Sequence, residues 1–139
     1  MPYLTKSYKF CAAHQYWNDK WGKEENFEVF GDDIKNHGHN YILRITVQGK
    51  IDSESGFVVS LQWLNDIVRN KVIKILDHSQ IDKDIEYFKD KTPSTENLVI
   101  FIWDILDPYF KDRTAKLYKI FLRETPTIYT EYYGPEENF

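Results

Sequence analysis

Two histidines separated by a single residue, His37 and His39, are the residues of this chain whose type and spacing best suit chemistry. They open the run HGHNYILRITVQ, in which His37, His39, Tyr41, Leu43, Ile45 and Val47 recur with period two. That period is a strand's, so these six side chains share one face. Asn40, Arg44, Thr46 and Gln48 take the other face, with Ile42 out of pattern. Imidazoles two residues apart on a strand sit roughly 6.5–7 Å apart at Cα. Both rings can then reach one metal ion at about 2.0–2.1 Å each. Gly38 between them leaves room for backbone or ligand to approach. Two ligands alone rarely hold a metal, and the same pattern also describes a strand end carrying two half-exposed histidines.

His14 supplies a third imidazole. Residues 3–14 alternate, with Leu4, Tyr8, Phe10, Ala12 and His14 on one face and Tyr3, Thr5, Ser7, Lys9, Cys11 and Ala13 on the other. If the two strands pair antiparallel across the intervening loop, the end of the first meets the start of the second. His14, His37 and His39 then converge on one side of the sheet. Three imidazoles with no fourth protein ligand leave a coordination position open, the arrangement of catalytic rather than structural zinc. The alternative for His14 is a core histidine with a satisfied hydrogen bond.

The elements that must position these residues are legible as periodic segments. Residues 15–36 read as a long loop bearing Trp17, Trp21, Phe27 and Phe30, with a short helix near Lys23 to Val29. Gly49 to Gly56 reads as a turn region and Phe57 to Val59 as a brief strand. Ser60 suits an N-cap for a helix with Leu61, Leu64, Ile67, Val68, Val72 and Ile75 on one face, ending near Leu76 ahead of Asp77 and His78. Thr92-Pro93-Ser94 signals a second helix start. Leu98, Phe101, Ile102, Ile105 and Leu106 form its buried face, and Pro108 stops it. Lys116, Tyr118, Ile120, Leu122 and Glu124 are placed on one face of a third strand, with a turn at Thr125-Pro126. Ile128, Thr130 and Tyr132 mark a fourth strand, and Gly134 to Phe139 a tail. The expected fold is α+β, in the order β-β-α-α-β-β: an antiparallel four-stranded sheet with both helices on one face. Long aromatic edge strands want partners, so oligomerisation by sheet extension is expected.

At 139 residues the chain is expected to form one domain, 1–139. A net charge of −4 gives no electrostatic footprint for nucleic acid or an anionic membrane. The longest apolar run, Leu98 to Trp103, is too short to span a bilayer. A single cysteine, Cys11, excludes an internal disulfide and a cysteine-rich metal site. The polar N-terminus reads as strand rather than signal peptide, which makes a cytoplasmic location the expectation.

Several spaced motifs, taken in order, resemble the 6-pyruvoyl-tetrahydropterin synthase and 6-carboxy-tetrahydropterin synthase family over nearly the whole length. They are Phe10-Cys11-Ala12-Ala13-His14, His37-Gly38-His39-Asn40-Tyr41, Gly49-x-x-Asp52 with Gly56, Leu76-Asp77-His78, Ser94-Thr95-Glu96-Asn97 and Glu124-Thr125. The resemblance implies the tunnelling fold, a trimeric barrel of strands stacked in pairs as a homohexamer, and a small-molecule pterin substrate. It implies Zn2+ on His14, His37 and His39, and a pterin ring anchored by Glu124 with Ser94 and Thr95 as polar surroundings. Asp77 and His78 would help proton transfer in a pocket shared between subunits. From the residues alone, Glu124 needs a charged or bidentate donor, which a neighbouring Lys or Arg also supplies. His78 beside Asp77 at a helix end also fits a plain dipole contact.

One departure stands out. The synthases carry a catalytic cysteine in the loop before the paired histidines, and here that position falls on Asp33 of Phe30-Gly31-Asp32-Asp33-Ile34-Lys35-Asn36. A free Asp titrates about 4.6 units below a free Cys, worth about 6 kcal/mol of proton affinity. A relative within the family uses a carboxylate nearby and cleaves the dihydroneopterin side chain, but Ile34 holds the place of its glutamate here. Asp32 and Asp33 could equally do no more than solvate a loop. The resulting expectation is a zinc-dependent carbon–oxygen lyase acting on the side chain of 7,8-dihydroneopterin triphosphate, of the 6-pyruvoyl- or 6-carboxy-tetrahydropterin synthase type. Its alternatives are retro-aldol cleavage to 6-hydroxymethyl-dihydropterin with Asp33 as base, and a pterin- or purine-binding zinc protein without turnover.

Overall fold

A computed structural model describes residues 1–136, so residues 137–139 of the expected tail lie outside the described residues. The frame is a hairpin-like pair of long strands, β1 (Tyr3–His14) and β2 (His37–Gln48), which run antiparallel from Tyr3 opposite Gln48 to His14 opposite His37. β4 (Lys116–Thr125) pairs with the far side of β2, and β5 (Ile128–Tyr132) with β4, both antiparallel. A two-residue β3 (Ser79–Gln80) lies parallel to β1 at Ala12 and Ala13, giving the order β3-β1-β2-β4-β5. The sheet therefore has five strands rather than the four expected. Two paired residues are too few for any periodicity to reveal.

Between the strands the chain forms α1 (Lys23–Phe30), α2 (Leu61–Val68), a π-helical turn (Arg69–Ile73), α3 (Lys74–Leu76), a short α4 (Ile81–Asp84) and α5 (Thr95–Leu106). Ser60 and Ser94 cap α2 and α5, each hydroxyl accepting a backbone N–H three residues on, from Trp63 and Asn97. The core is one cluster in which Tyr8, Phe10, Tyr41, Leu43, Ile45, Ile120 and Leu122 from the sheet meet Leu64, Val68, Leu98, Ile102 and Leu106 from the helices.

Three local readings of the sequence are corrected. Phe57–Val59 is not a strand: it pairs with no strand of the sheet, and Val59 is buried in the core instead. The π turn adds a residue to the helical repeat, so Ile75 rotates outward and Leu76 takes its place inside. In β4 the register shifts opposite Thr46 and Val47, and Tyr118 is the residue without a partner. Leu117, not Tyr118, thus faces the core, while Tyr118 packs 4.5 Å from Tyr3 and 5.5 Å from Tyr133.

Gly134 turns the chain at φ +92°, and a Cβ there would stand 2.5 Å from Trp103 Cζ2. Gly134→Ala should therefore lower stability by about 1–3 kcal/mol, through left-handed backbone strain and overpacking. Urea denaturation measures it; an unchanged midpoint would mean that the turn does not press on Trp103.

Candidate metal centre and its surroundings

Antiparallel register brings the imidazoles together. Directly opposite residues project from the same face, so His14 stands beside His37, and the small Ala12 lies opposite His39. Ring centroids lie 4.5 Å apart for His14–His37, 5.0 Å for His14–His39 and 4.9 Å for His37–His39. His14 Nδ1 is 2.8 Å from the Pro93 carbonyl, and His37 Nδ1 is 2.8 Å from the Lys35 carbonyl. A carbonyl only accepts, so each Nδ1 carries the proton and each Nε2 turns a lone pair inward. His14 is fully buried. Burial, with His37 and His39 as neighbours, pushes its pKa down to about 4, and His39 is lowered by burial and then by His37. Near neutral pH the His14 and His39 rings are therefore neutral and suited to a cation.

The sequence predicts three imidazoles with no fourth protein donor; the structure adds one. Glu124 is the next core-facing residue of β4 after Leu122, at the sheet end where β2 begins. Its Oε1 lies 2.9 Å from His39 Nε2 and 3.9 Å from His14 Nε2, and those two nitrogens are 3.1 Å apart. One donor atom from each of His14, His37, His39 and Glu124 falls within 4.8 Å of the others. A tetrahedral ion with bonds of 2.0–2.1 Å separates its ligands by about 3.3 Å, so the donor set and spacing fit a divalent metal such as zinc. Burial raises the Glu124 pKa. Burial also raises the Tyr16 and Tyr41 phenols, with Glu124 adding to the effect on both.

Asp33 lies at the rim. Its Oδ1 is 3.7 Å from His37 Nε2, and more than half of its side chain is exposed. A 3-10 turn, Gly31–Ile34, carries it, entered through Gly31 at φ +61° and tied down by the Tyr16 N–H on the Asp33 carbonyl (2.9 Å). Asn26, buried in α1, ties the rest of this loop by bonding to Asn18 and Gly22.

Ser94 and Thr95, the cap and first residue of α5, follow directly on the Pro93 carbonyl, and both hydroxyls have internal partners. Ser94 accepts the Asn97 N–H, and Thr95 bonds Glu96 (2.9 Å) and Thr130 (2.7 Å). Asp77 and His78 are not brought to the imidazoles within this chain. They finish the outer edge of β1, where Asp77 accepts the Cys11 N–H (2.9 Å) and the His78 N–H donates to the Cys11 carbonyl (2.6 Å). His78 Nδ1 lies 3.1 Å from Asp77, its ring is largely exposed, and its backbone is left-handed at φ +62°. The Pro93 and Lys35 carbonyls had no sequence signal. Glu124 did have one, since period two from Leu122 puts it on the core-facing side of its strand.

With the geometry in place, comparison with known proteins gives it a context. The sequence profile of the 6-pyruvoyl tetrahydropterin synthase family matches residues 3–135. A 6-pyruvoyl tetrahydrobiopterin synthase of Drosophila melanogaster is 38% identical over 135 residues, covering 96% of this chain and 80% of that protein. The structure of Caenorhabditis elegans 6-pyruvoyl tetrahydropterin synthase superposes with a TM-score of 0.88 at 33% identity, covering 97% of this chain and 98% of that one. A Plasmodium vivax 6-pyruvoyltetrahydropterin synthase, solved with a catalytic glutamate replaced by alanine, shares the fold alone (TM-score 0.64, 20% identity, 94% and 96% covered). Fold and site thus define a protein of the pterin-synthase type. The chain belongs to the 6-pyruvoyl tetrahydropterin synthase family, lyases of pterin synthesis. Among the described residues no helix is long and apolar enough to cross a membrane.

Two outcomes are expected. Zinc at a hundredfold excess over its Kd should raise the unfolding free energy by about 2.7 kcal/mol, and His37→Ala should lose most of that gain. Equal urea midpoints with zinc and with a chelator would remove the metal site. Separately, the Cys11 N–H and then His78 hold the Asp77 carboxyl below its ordinary 3.8. Its contribution is therefore present above that value and lost as pH falls through the lower folded value. Asp77→Ala should be less stable than the parent near about pH 6, the gap closing toward about pH 2. A pH-independent gap would show that charge is not involved.

Proposed function

We propose that this chain is a zinc-dependent lyase that converts 7,8-dihydroneopterin triphosphate to a 6-pyruvoyl tetrahydropterin, with Asp33 in the place of the usual cysteine. The observation that carries the reading is the position of Asp33, 3.7 Å from an imidazole of the cluster, on the turn where the family places its thiol. The pyruvoyl rather than the carboxy product is preferred because the Drosophila and Caenorhabditis relatives carry that name over nearly the full chain.

Zinc held by His14, His37 and His39 would act as a Lewis acid, lowering the pKa of the side-chain hydroxyls. The remaining work falls to the chain. Glu124 accepts hydrogen bonds from the amino and N–H edge of the ring, fixing its orientation, with Ser94 and Thr95 at the start of α5 beside it. Asp33 takes a proton from the side-chain carbon next to the ring. That electron pair passes into the ring C=N, whose nitrogen is protonated, and return of a proton to the ring carbon leaves a ketone next to the ring. A second proton is then lost from the middle side-chain carbon, its electron pair expels triphosphate from the terminal carbon, and the resulting enol ketonises to the pyruvoyl group. Ring reduction and side-chain oxidation balance within one molecule, so no external oxidant enters. The Plasmodium vivax protein offers a chemical parallel, a carboxylate as a catalytic residue within this fold.

Assembly belongs to the same reading. β5 leaves an unpaired edge with Ile128 and Tyr129 exposed, and Tyr3 and Tyr133 are exposed beside it, which suits a homohexamer built by sheet extension. Asp77 and His78 would then serve a neighbouring subunit's pocket. A second reading, retro-aldol cleavage of unphosphorylated dihydroneopterin to the hydroxymethyl product, is favoured by the same carboxylate in place of the thiol.

The test is to incubate the zinc-loaded protein with dihydroneopterin and with its triphosphate and to identify products by mass. Turnover of the triphosphate is expected, falling about 10²–10⁴-fold in Asp33→Ala and persisting in Asp33→Cys. Unchanged turnover in Asp33→Ala would remove Asp33 from the mechanism. Binding of both compounds without product would make this a pterin-binding protein.

A further inference from the structure

Glu124 is claimed by two partners. On the proposed function its carboxylate receives the ring edge of a pterin, yet in the structure it lies against the imidazole donors, 2.9 Å from His39 Nε2. Those demands compete, because an oxygen engaged with a cation cannot also point its lone pairs along a ring's N–H groups.

The four donors are not held alike. His14 is fixed from behind by the Pro93 carbonyl and His37 by the Lys35 carbonyl, and both approach the cluster on stiff aromatic side chains. Glu124 has a flexible side chain, and among the described residues its carboxylate lies within 4 Å of the His39 and His14 nitrogens with no backbone group holding it from behind. Its backbone also departs from the regular ladder: β4 and β5 shift register between Arg123 and Thr125, with Glu124 as the skipped residue. Such bulges re-aim a side chain beside a site. About a tenth of the Glu124 side chain is exposed, less than of His39 or His37, and it remains reachable by an arriving ligand. Its flexible side chain and skipped backbone position, not its exposure, set it apart from the imidazoles.

We propose that Glu124 is an exchangeable fourth ligand of the metal centre: without substrate its carboxylate completes a His14, His37, His39, Glu124 set, and the ring edge of a pterin draws it away. The proposal rests on the reading in which Glu124 anchors the ring. Ring recognition and opening of the coordination position become a single event, so a side-chain hydroxyl finds a vacant position only when the correct ring is seated. Other hydroxyl compounds meet a centre already closed. Binding energy from the ring, remote from the reacting carbons, is thereby spent on assembling the site.

Cobalt reports this exchange without any turnover. The full-length protein is loaded with Co2+, and its visible ligand-field spectrum is recorded alone and with pterin, the ring without a side chain. Pterin binding is followed separately by quenching of the ring's fluorescence. Saturating pterin should change the spectrum, and Glu124→Gln should show an altered spectrum before pterin is added. Its affinity for Zn2+ should fall at least about tenfold. Glu124→Asp, one methylene shorter, keeps the charge and should bind Zn2+ more tightly than the Gln variant. The wild-type titration needs no variant to fold. Pterin that binds without altering the spectrum, or identical spectra and Zn2+ affinities for wild type and Glu124→Gln, would overturn the exchange. Pterin that fails to bind at all overturns the ring reading itself, and the exchange with it. A persisting spectral difference in Glu124→Gln distinguishes that failure from loss of the fourth ligand.

Discussion

A single rung of the β1–β2 ladder, His14 opposite His37, decides the geometry of the site. The site does not enforce that rung; the core does. A slip of one residue would turn Tyr8, Phe10 and Ala12 to the outer face together with His14. Re-exposing a large apolar side chain costs about 1.5–3 kcal/mol, and the two aromatics alone exceed what three unliganded imidazoles could gain by meeting. Phe10 stacks on Tyr41 at 4.8 Å within the same layer, so packing locks the rings in position before any ion arrives. Metal chemistry is thus placed at the polar end of an otherwise apolar sheet face.

That end is expensive to build. A buried histidine and a mostly buried carboxylate must find partners or lose several kcal/mol in desolvation. The partners come from helix α5 by an indirect route. Leu98, Ile102 and Leu106 seat the helix on the sheet, and Ser94 caps its first turn. The residue just before that cap, Pro93, presents the carbonyl that orients His14. Packing of an apolar helix face therefore selects the tautomer of a candidate metal ligand some distance away.

Much of this was readable from residue order. Alternation in β1 and β2 identifies the faces, and antiparallel pairing across a loop makes convergence of the three histidines a geometric consequence. The two capping serines are equally plain. Less visible was whatever depends on a break in a repeat or on backbone atoms. β3 is two residues long, the π turn shifts Ile75 against Leu76, and the irregularity at Tyr118 moves Leu117 to the inside. Carbonyl acceptors such as Pro93 and Lys35 carry no side-chain signature. Glu124 could be placed on the correct face, but its proximity to His39 needs three strands in register, which local patterns do not encode.

The least obvious pair, Asp77 and His78, makes sense from the free edges of the sheet. β1 is paired with β3 only at Ala12 and Ala13, and the Asp77–His78 step occupies its outer edge at Cys11; β3 offers no partner from Tyr3 to Phe10. At the opposite margin β5 also has an unpaired side. Both edges belong to different surfaces of one chain, so joining them is heterologous, and such contacts close into rings when the rotation permits. β1 ends, β2 begins and β4 ends at the same end of the sheet, the end that carries the imidazoles and Glu124. β5 runs antiparallel to β4, so its first residue, Ile128, also lies there. Antiparallel addition of β5 to a neighbour's β1 would set the Glu124 turn beside that neighbour's Asp77 and His78. In the proposed assembly that pair would line the neighbouring pocket, while within one chain the left-handed His78 is held by the β1 edge it covers, through its N–H on the Cys11 carbonyl.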